Sequence, residues 1–277
     1  MKPVIFWAAA LLCVPALAQL PVSYQSVFAD LPRGIETRTQ DWLQAHADVA
    51  RPSAHEEETP AAPAAQTEVL TLETALQQHP APQALAIRKA WITAVAAAQS
   101  AGYLRQAQQA ALAGTELARR MARVGNYSRL QQAREQLLLA EASVQRAHAE
   151  QAAVGARAQL VGLLGGVDSG FRLPEQLPDL PAAPVQATPQ RSEARAVYFG
   201  YRTAYDVAVY QRDEILPLRA FIQDEQTLRY NGMLASVWEL LAEAREQIAG
   251  VHSAIQAQRD FWLADADWQA QQTGSQQ

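Results

Sequence analysis

The side chains able to do chemistry are few and scattered. Histidines stand at His46, His55, His79, His148 and His252, and around the four outside the His55 charge run no second histidine or carboxylate lies at metal-ligand spacing. His55-Glu56-Glu57-Glu58 has the right residue types for a cation but lies in a Pro/Ala/Glu-rich stretch, where a solvated charge run is expected. Ser128 has no nearby base to activate it and reads better as a helix cap. No glycine-rich phosphate loop occurs. Beyond Met1 only Met121 and Met233 remain, too few for a thioether copper site. The reading is therefore of a protein that is not an enzyme and takes no cofactor or metal, so function must reside in surfaces.

Cys13 is the single cysteine, and it lies within a leader. Lys2 supplies a positive start, Val4–Leu12 an apolar run, and Ala16-Leu17-Ala18 a small-x-small cleavage site, so residues 1–18 are expected to be a signal peptide with Gln19 the first mature residue. A lipoprotein signal would modify Cys13, but the residue before it, Leu12, is large where a small one is normal. Removal of the leader leaves no cysteine, hence no disulfide. It also makes the formal charge of −5 one unit more negative, against nucleic acid as a partner. No later segment has about 20 consecutive apolar residues, so no transmembrane helix is expected.

The remainder is rich in alanine and poor in aromatics, at 7%. A chain with so little side-chain volume must pack helices closely, with or without partner subunits. Residues 19–67 form an N-terminal segment and linker. From residue 68 the pattern is helical, with Thr71 a candidate N-cap and Pro80 and Pro82 a break. A helix is expected from about Gln83 to Arg123, with small and apolar residues from Ile87 to Ala118 in steps of three and four. A second runs from about Arg129 to Leu164, with Leu130, Ala133, Leu137, Ala140, Val144 and Ala147 opening a heptad seam that continues past one polar slot, Gln151, to Val161. Gly125 and Ser128 between them suggest a tight turn, making residues 68–170 one antiparallel hairpin.

Residues 171–191 are a Pro-rich connection, and residues 192–271 repeat the plan. One helical stretch covers about Ser192–Tyr230, kinked at Pro217. The break follows at Asn231-Gly232, then a helix from about Ala235 to Gln271, with residues 272–277 a tail. Alternation from Val197 to Val209 also suits a strand, but the even positions are not uniformly polar and no turn bounds the run, which favours helix. Trp238, Phe261, Trp262 and Trp268 on the last helix, interleaved with Asp260, Asp265 and Asp267, are expected to anchor helix on helix rather than to belt a membrane. The expected fold is mainly all-α: two long antiparallel coiled-coil hairpins in tandem, with few or no strands.

The two breaks align as Gly125-Asn126-Tyr127-Ser128-Arg129-Leu130 with Gly232-Met233-Leu234-Ala235-Ser236-Val237. Each precedes a helix carrying Ala-Arg-Glu-Gln, at 133–136 and 244–247, one turn out of step with the glycines. With the Leu163-Leu164-Gly165-Gly166 end and the Arg212–Arg219 stretch, RDEILPLR, residues 68–270 resemble the TolC family of outer-membrane efflux proteins. The resemblance implies a homotrimeric tube at the outer membrane and periplasm. It would be a passive conduit working with a periplasmic adaptor and an inner-membrane pump. It also implies that the hairpin tips are the partner-binding residues: Gly125, Ser128, Leu130, Gly232 and Val237, with Ala235 standing where serine is expected. The chain departs from the family in being much shorter and in lacking paired strands of about 9–11 alternating residues. The alternative is a periplasmic coiled-coil scaffold without a pore.

Overall fold

The computed structural model describes residues 69–77, 81–166 and 170–274. The expected signal peptide at residues 1–18, with Cys13, and His46, the His55–Glu58 run and His79 lie outside them. The described chain is mainly helical: α1 (Leu72–Gln77), α2 (Ala81–Arg123), α3 (Arg129–Leu163), α4 (Ser192–Tyr210), a π-helical turn (Gln211–Ile215), α5 (Leu216–Asn231) and α6 (Val237–Gly274). Among the described residues the only β-pairing is an isolated parallel bridge between Val69 and Arg172, where Leu70 N–H donates to the Arg172 carbonyl over 2.8 Å.

The boundaries follow local chemistry. Thr71 Oγ1 accepts from Thr74 N–H and so caps α1. Pro217 offers no N–H to the Asp213 carbonyl and its ring crowds that carbonyl; the helix does not break there but widens into the π turn, so residues 192–231 form one continuous rod. The strand-like alternation of residues 197–209 lies inside α4.

Four rods lie side by side with alternating direction, in the order α3, α2, α6 and α4–α5. Lys89 meets Asp267, Gln256 Nε2 donates to Ser100 Oγ, and a Cβ on Gly114 would touch Leu241, so α2 and α6 run antiparallel along most of their length. Helix α3 packs mainly along α2, and α4–α5 along α6. The result is an open layer with two outer edges rather than a closed bundle.

Two apolar clusters hold the end away from the hairpin turns. In one, Ile87, Trp91 and Val95 of α2 meet Leu160 of α3, Ile255 of α6 and Phe171, while Trp91 Nε1 donates to the Leu70 carbonyl over 2.9 Å. Arg157 lies over the Phe171 ring and donates to its carbonyl. In the other, Tyr198, Tyr201 and Tyr205 of α4 pack on Phe261 and Trp268 of α6. The tyrosine hydroxyls fasten the Pro-rich segment across this face: Tyr201 accepts from Val185 N–H, Tyr198 from Ala187 N–H, and Tyr205 donates to the Pro181 carbonyl. Gln258 and Trp262 both donate to the Pro178 carbonyl. The segment read as a connection is thus a strap. Phe261 and Trp268 are buried, as expected of helix anchors.

Candidate functional site: the paired hairpin tips

The first tip ends α2 with glycine in the left-handed region, Gly125 at φ +80°. Gly125 N–H donates to the Ala122 carbonyl over 3.1 Å and Asn126 N–H to the Met121 carbonyl over 3.0 Å, the paired bonds of a Schellman stop. Ser128 then starts α3. Its Oγ accepts from Gln131 N–H over 3.2 Å, and its own N–H donates to Gln131 Oε1 over 2.9 Å, a reciprocal capping box.

The second tip repeats this construction, in a register one residue away from the alignment of the glycines. Met233 N–H donates to the Tyr230 carbonyl over 3.0 Å and Leu234 N–H to the Arg229 carbonyl over 2.8 Å. Met233, not Gly232, takes the left-handed position, at φ 59°. Gly232 has φ −79°, which any residue adopts. Ser236 is the cap: its N–H donates to Glu239 Oε2 over 2.7 Å, and its Oγ accepts from Glu239 N–H over 3.3 Å. The bonds from Ser236 hold the Glu239 carboxyl below its ordinary pKa. The structural partner of Ser128 is therefore Ser236, not Ala235, and that of Leu130 is Trp238, not Val237. The capping serine expected at the second tip is present; the glycine landmark had displaced the alignment.

Both tips lie at the same end of the layer and touch. The Tyr127 and Trp238 rings stack with centroids 4.6 Å apart and planes inclined 22°. Two turns inward, Glu135 of α3 is buried and its carboxylate lies 3.6 Å from the Arg245 guanidinium of α6, while its carbonyl accepts from Thr115 Oγ1 of α2. Gly114 makes this crossing possible, since a Cβ there would sit 3.3 Å from Glu135 Oε2. Desolvation first, and then the Glu135 charge, raise the Tyr127 pKa. Glu135, Thr115 and Arg245 escaped the sequence reading, although Glu135 and Arg245 both lie within the Ala-Arg-Glu-Gln repeats.

The site residues sort into two groups. Gly125 and Ser128 shape the first turn, Gly232 lies just before the second, and Val237 is half-buried at the start of α6. Leu130 is 63% exposed, and with it the tips expose Val124, Met233 and Leu234. Those last three were missed because an apolar residue inside a turn carries no periodic signal. Among the described residues there is no group of His, Cys, Asp or Glu able to hold a metal, and no helix long and apolar enough to cross a membrane. What the arrangement presents is an apolar double tip. No family model, curated protein or solved structure matches this chain.

Proposed function

We propose that the protein is a TolC-like component of a tripartite export system of the outer membrane and periplasm, a passive conduit whose tips meet an adaptor and, through it, an inner-membrane pump. The observation that carries this reading is the pair of hairpin tips. They have the same backbone construction 108 residues apart, judged by Ser128 and Ser236, and are locked level by Tyr127–Trp238 and Glu135–Arg245. Val124, Leu130, Met233 and Leu234 would insert between the helices of the adaptor, as apolar knobs do in helix-in-groove recognition. A homotrimer would provide the tube.

A second reading is favoured by one observation: among the described residues no strand follows or precedes either hairpin, only the Val69–Arg172 bridge. On that reading the hairpins are a periplasmic scaffold that binds envelope partners without enclosing a pore. Envelope fractionation of the native protein, followed by cross-linking to count subunits, separates the two. A trimer retained with the outer membrane supports the conduit, and loss of export on deleting the gene completes the case. A soluble periplasmic monomer or dimer retires the conduit and leaves the scaffold.

A further inference from the structure

The heptad seam of α3 does not face its own hairpin. Positions 130, 133, 137, 140, 144, 147, 151, 154 and 158 are all exposed, with Leu137 at 58% and Val144 at 56%. Helix α3 instead meets α2 through other residues, chiefly polar ones in its middle: Gln108 Nε2 donates to Ser143 Oγ over 3.1 Å, Arg146 donates to Gln108 Oε1 over 2.7 Å, and Arg105 pairs with Glu150. At the opposite edge, α5 exposes Phe221, Ile222 and Leu228.

We infer that these two edges are complementary halves of one interface, so that the α3 seam of one copy docks along the outer face of α5 of a second copy of this chain. Three features select that occupant. First, the heights match. Tyr127 against Trp238, Glu135 against Arg245, and the Arg219 stem 3.5 Å from where a Cβ on Gly250 would sit, set α3 and α5 against α6. In that register Leu130 is level with Leu228, and Leu137 with Phe221 and Ile222. Second, the charges complement. Exposed Arg134 on α3 is level with exposed Asp224 and Glu225 on α5, so opposite charges sit between the apolar pairs. Third, α3 runs away from the tips and α5 towards them, so the junction continues the antiparallel alternation within the layer, with all tips kept at one end. The contact is heterologous, because different surfaces meet, and repetition with a constant rotation closes a ring. Beyond about residue 144 the seam outruns the matching face, since α4 is covered by the Pro-rich strap.

The inference deepens the conduit reading and rests on it for the number of copies in a ring; the edge pairing is tested without it. In full-length protein with Cys13→Ala, Leu137→Cys and Ile222→Cys are introduced singly and together, and the purified protein is oxidised. Two helices separate these positions within one copy, too far for an internal disulfide. The double variant is expected to give a ladder of disulfide-linked multimers, and each single variant to stay monomeric. Arg134→Asp should lower the multimer yield about tenfold, and adding Asp224→Arg with Glu225→Arg should restore it. Dimers from Leu137→Cys alone, at the yield of the double variant, would show a two-fold contact of α3 with itself and overturn the inference. A double variant that is helical by circular dichroism yet monomeric would overturn it too, and would assign the α3 seam to a different protein. Neither result touches adaptor binding at the tips. A ring that forms but exports nothing would retire the conduit and keep the interface.

Discussion

Helices α2 and α3 carry the same kind of sequence and meet opposite fates. In both, small and apolar residues recur in steps of three and four for about 30 residues. In α2 the seam from Ile87 to Ala118 is buried or half-buried at every position, because α2 is flanked by α3 on one side and α6 on the other. In α3 the seam is exposed from Leu130 to Ala158, because α3 lies at the edge of the layer and needs only one face for α2. The hairpin is closed near its tip by Thr115 and Glu135 and further on by Gln108, Ser143 and Arg146, while its second apolar stripe points outward. A heptad pattern declares that a helix has an apolar face; it does not say whose helix will cover it.

The strongest way to break this contrast is to truncate the inner seam. Ile87 of α2 is fully buried in the cluster that joins α1, α3, α6 and the start of the Pro-rich segment. Ile87→Ala should cost about 2–5 kcal/mol, from lost transfer energy and the cavity left behind. Urea unfolding followed by circular dichroism measures it. A loss under about 1 kcal/mol would mean that the inner seam is no better packed than the outer one.

Burial on the inner side also has an electrostatic cost, readable as a pH dependence. Asp265 on α6 is buried, and desolvation raises its pKa, opposed by the charge of Arg88 from α2 and by the hydrogen bond from Gln269. A carboxyl whose folded pKa exceeds its unfolded value contributes most stability below the unfolded pKa and loses it as pH rises through the folded one. Asp265→Asn should therefore stabilise the chain at neutral pH, and the gain should vanish below the ordinary carboxylate range near pH 4. Thermal melts at pH 3.5 and pH 7 test the sign. A variant destabilised at pH 7 but not at pH 3.5 would show that Arg88 outweighs the desolvation.

The tips allow a smaller comparison between two copies of one turn. Gly125 occupies its left-handed position without strain, whereas Met233 carries a side chain there. Gly125→Ala should destabilise by about 1 kcal/mol, and Met233→Gly should be neutral or stabilising by up to about 1 kcal/mol. If Met233→Gly destabilises by as much as Gly125→Ala does, the exposed methionine is held by contacts rather than tolerated at a backbone cost.

These cases mark what the sequence makes legible. Helix spans, the first turn and the cap at Ser128 are readable because glycine, proline and serine act through their immediate neighbours. The π turn before Pro217 follows from the missing N–H, although its widening rather than breaking was set by packing of α4–α5 on α6. The register of the second tip was hidden because Met233 does what glycine usually does, and Gly232 beside it drew the alignment one residue off. The strap was hidden because proline spacing announces an extended chain but not the tyrosines, at 198, 201 and 205, that receive it. The Glu135–Arg245 contact joins residues from separate repeats, a tertiary fact no local pattern carries.

The smallest effect expected on the isolated chain is also the most informative. Leu137→Ala removes an apolar side chain that is more than half in water, so the dilute monomer should change in stability by less than about 0.5 kcal/mol. The same substitution should weaken self-association, because in the proposed junction Leu137 fills the space between Phe221 and Ile222 of the neighbouring copy. Chemical denaturation at low concentration and sedimentation at high concentration separate the two effects. A monomer destabilised by about 2 kcal/mol or more would mean that the α3 seam is packed within the chain after all, removing the contrast with α2. An unchanged monomer with unchanged self-association would leave the outer seam apolar but idle towards its own kind. An unchanged monomer that associates more weakly would show that burial within one copy and exposure at its edge are two stages of the same packing.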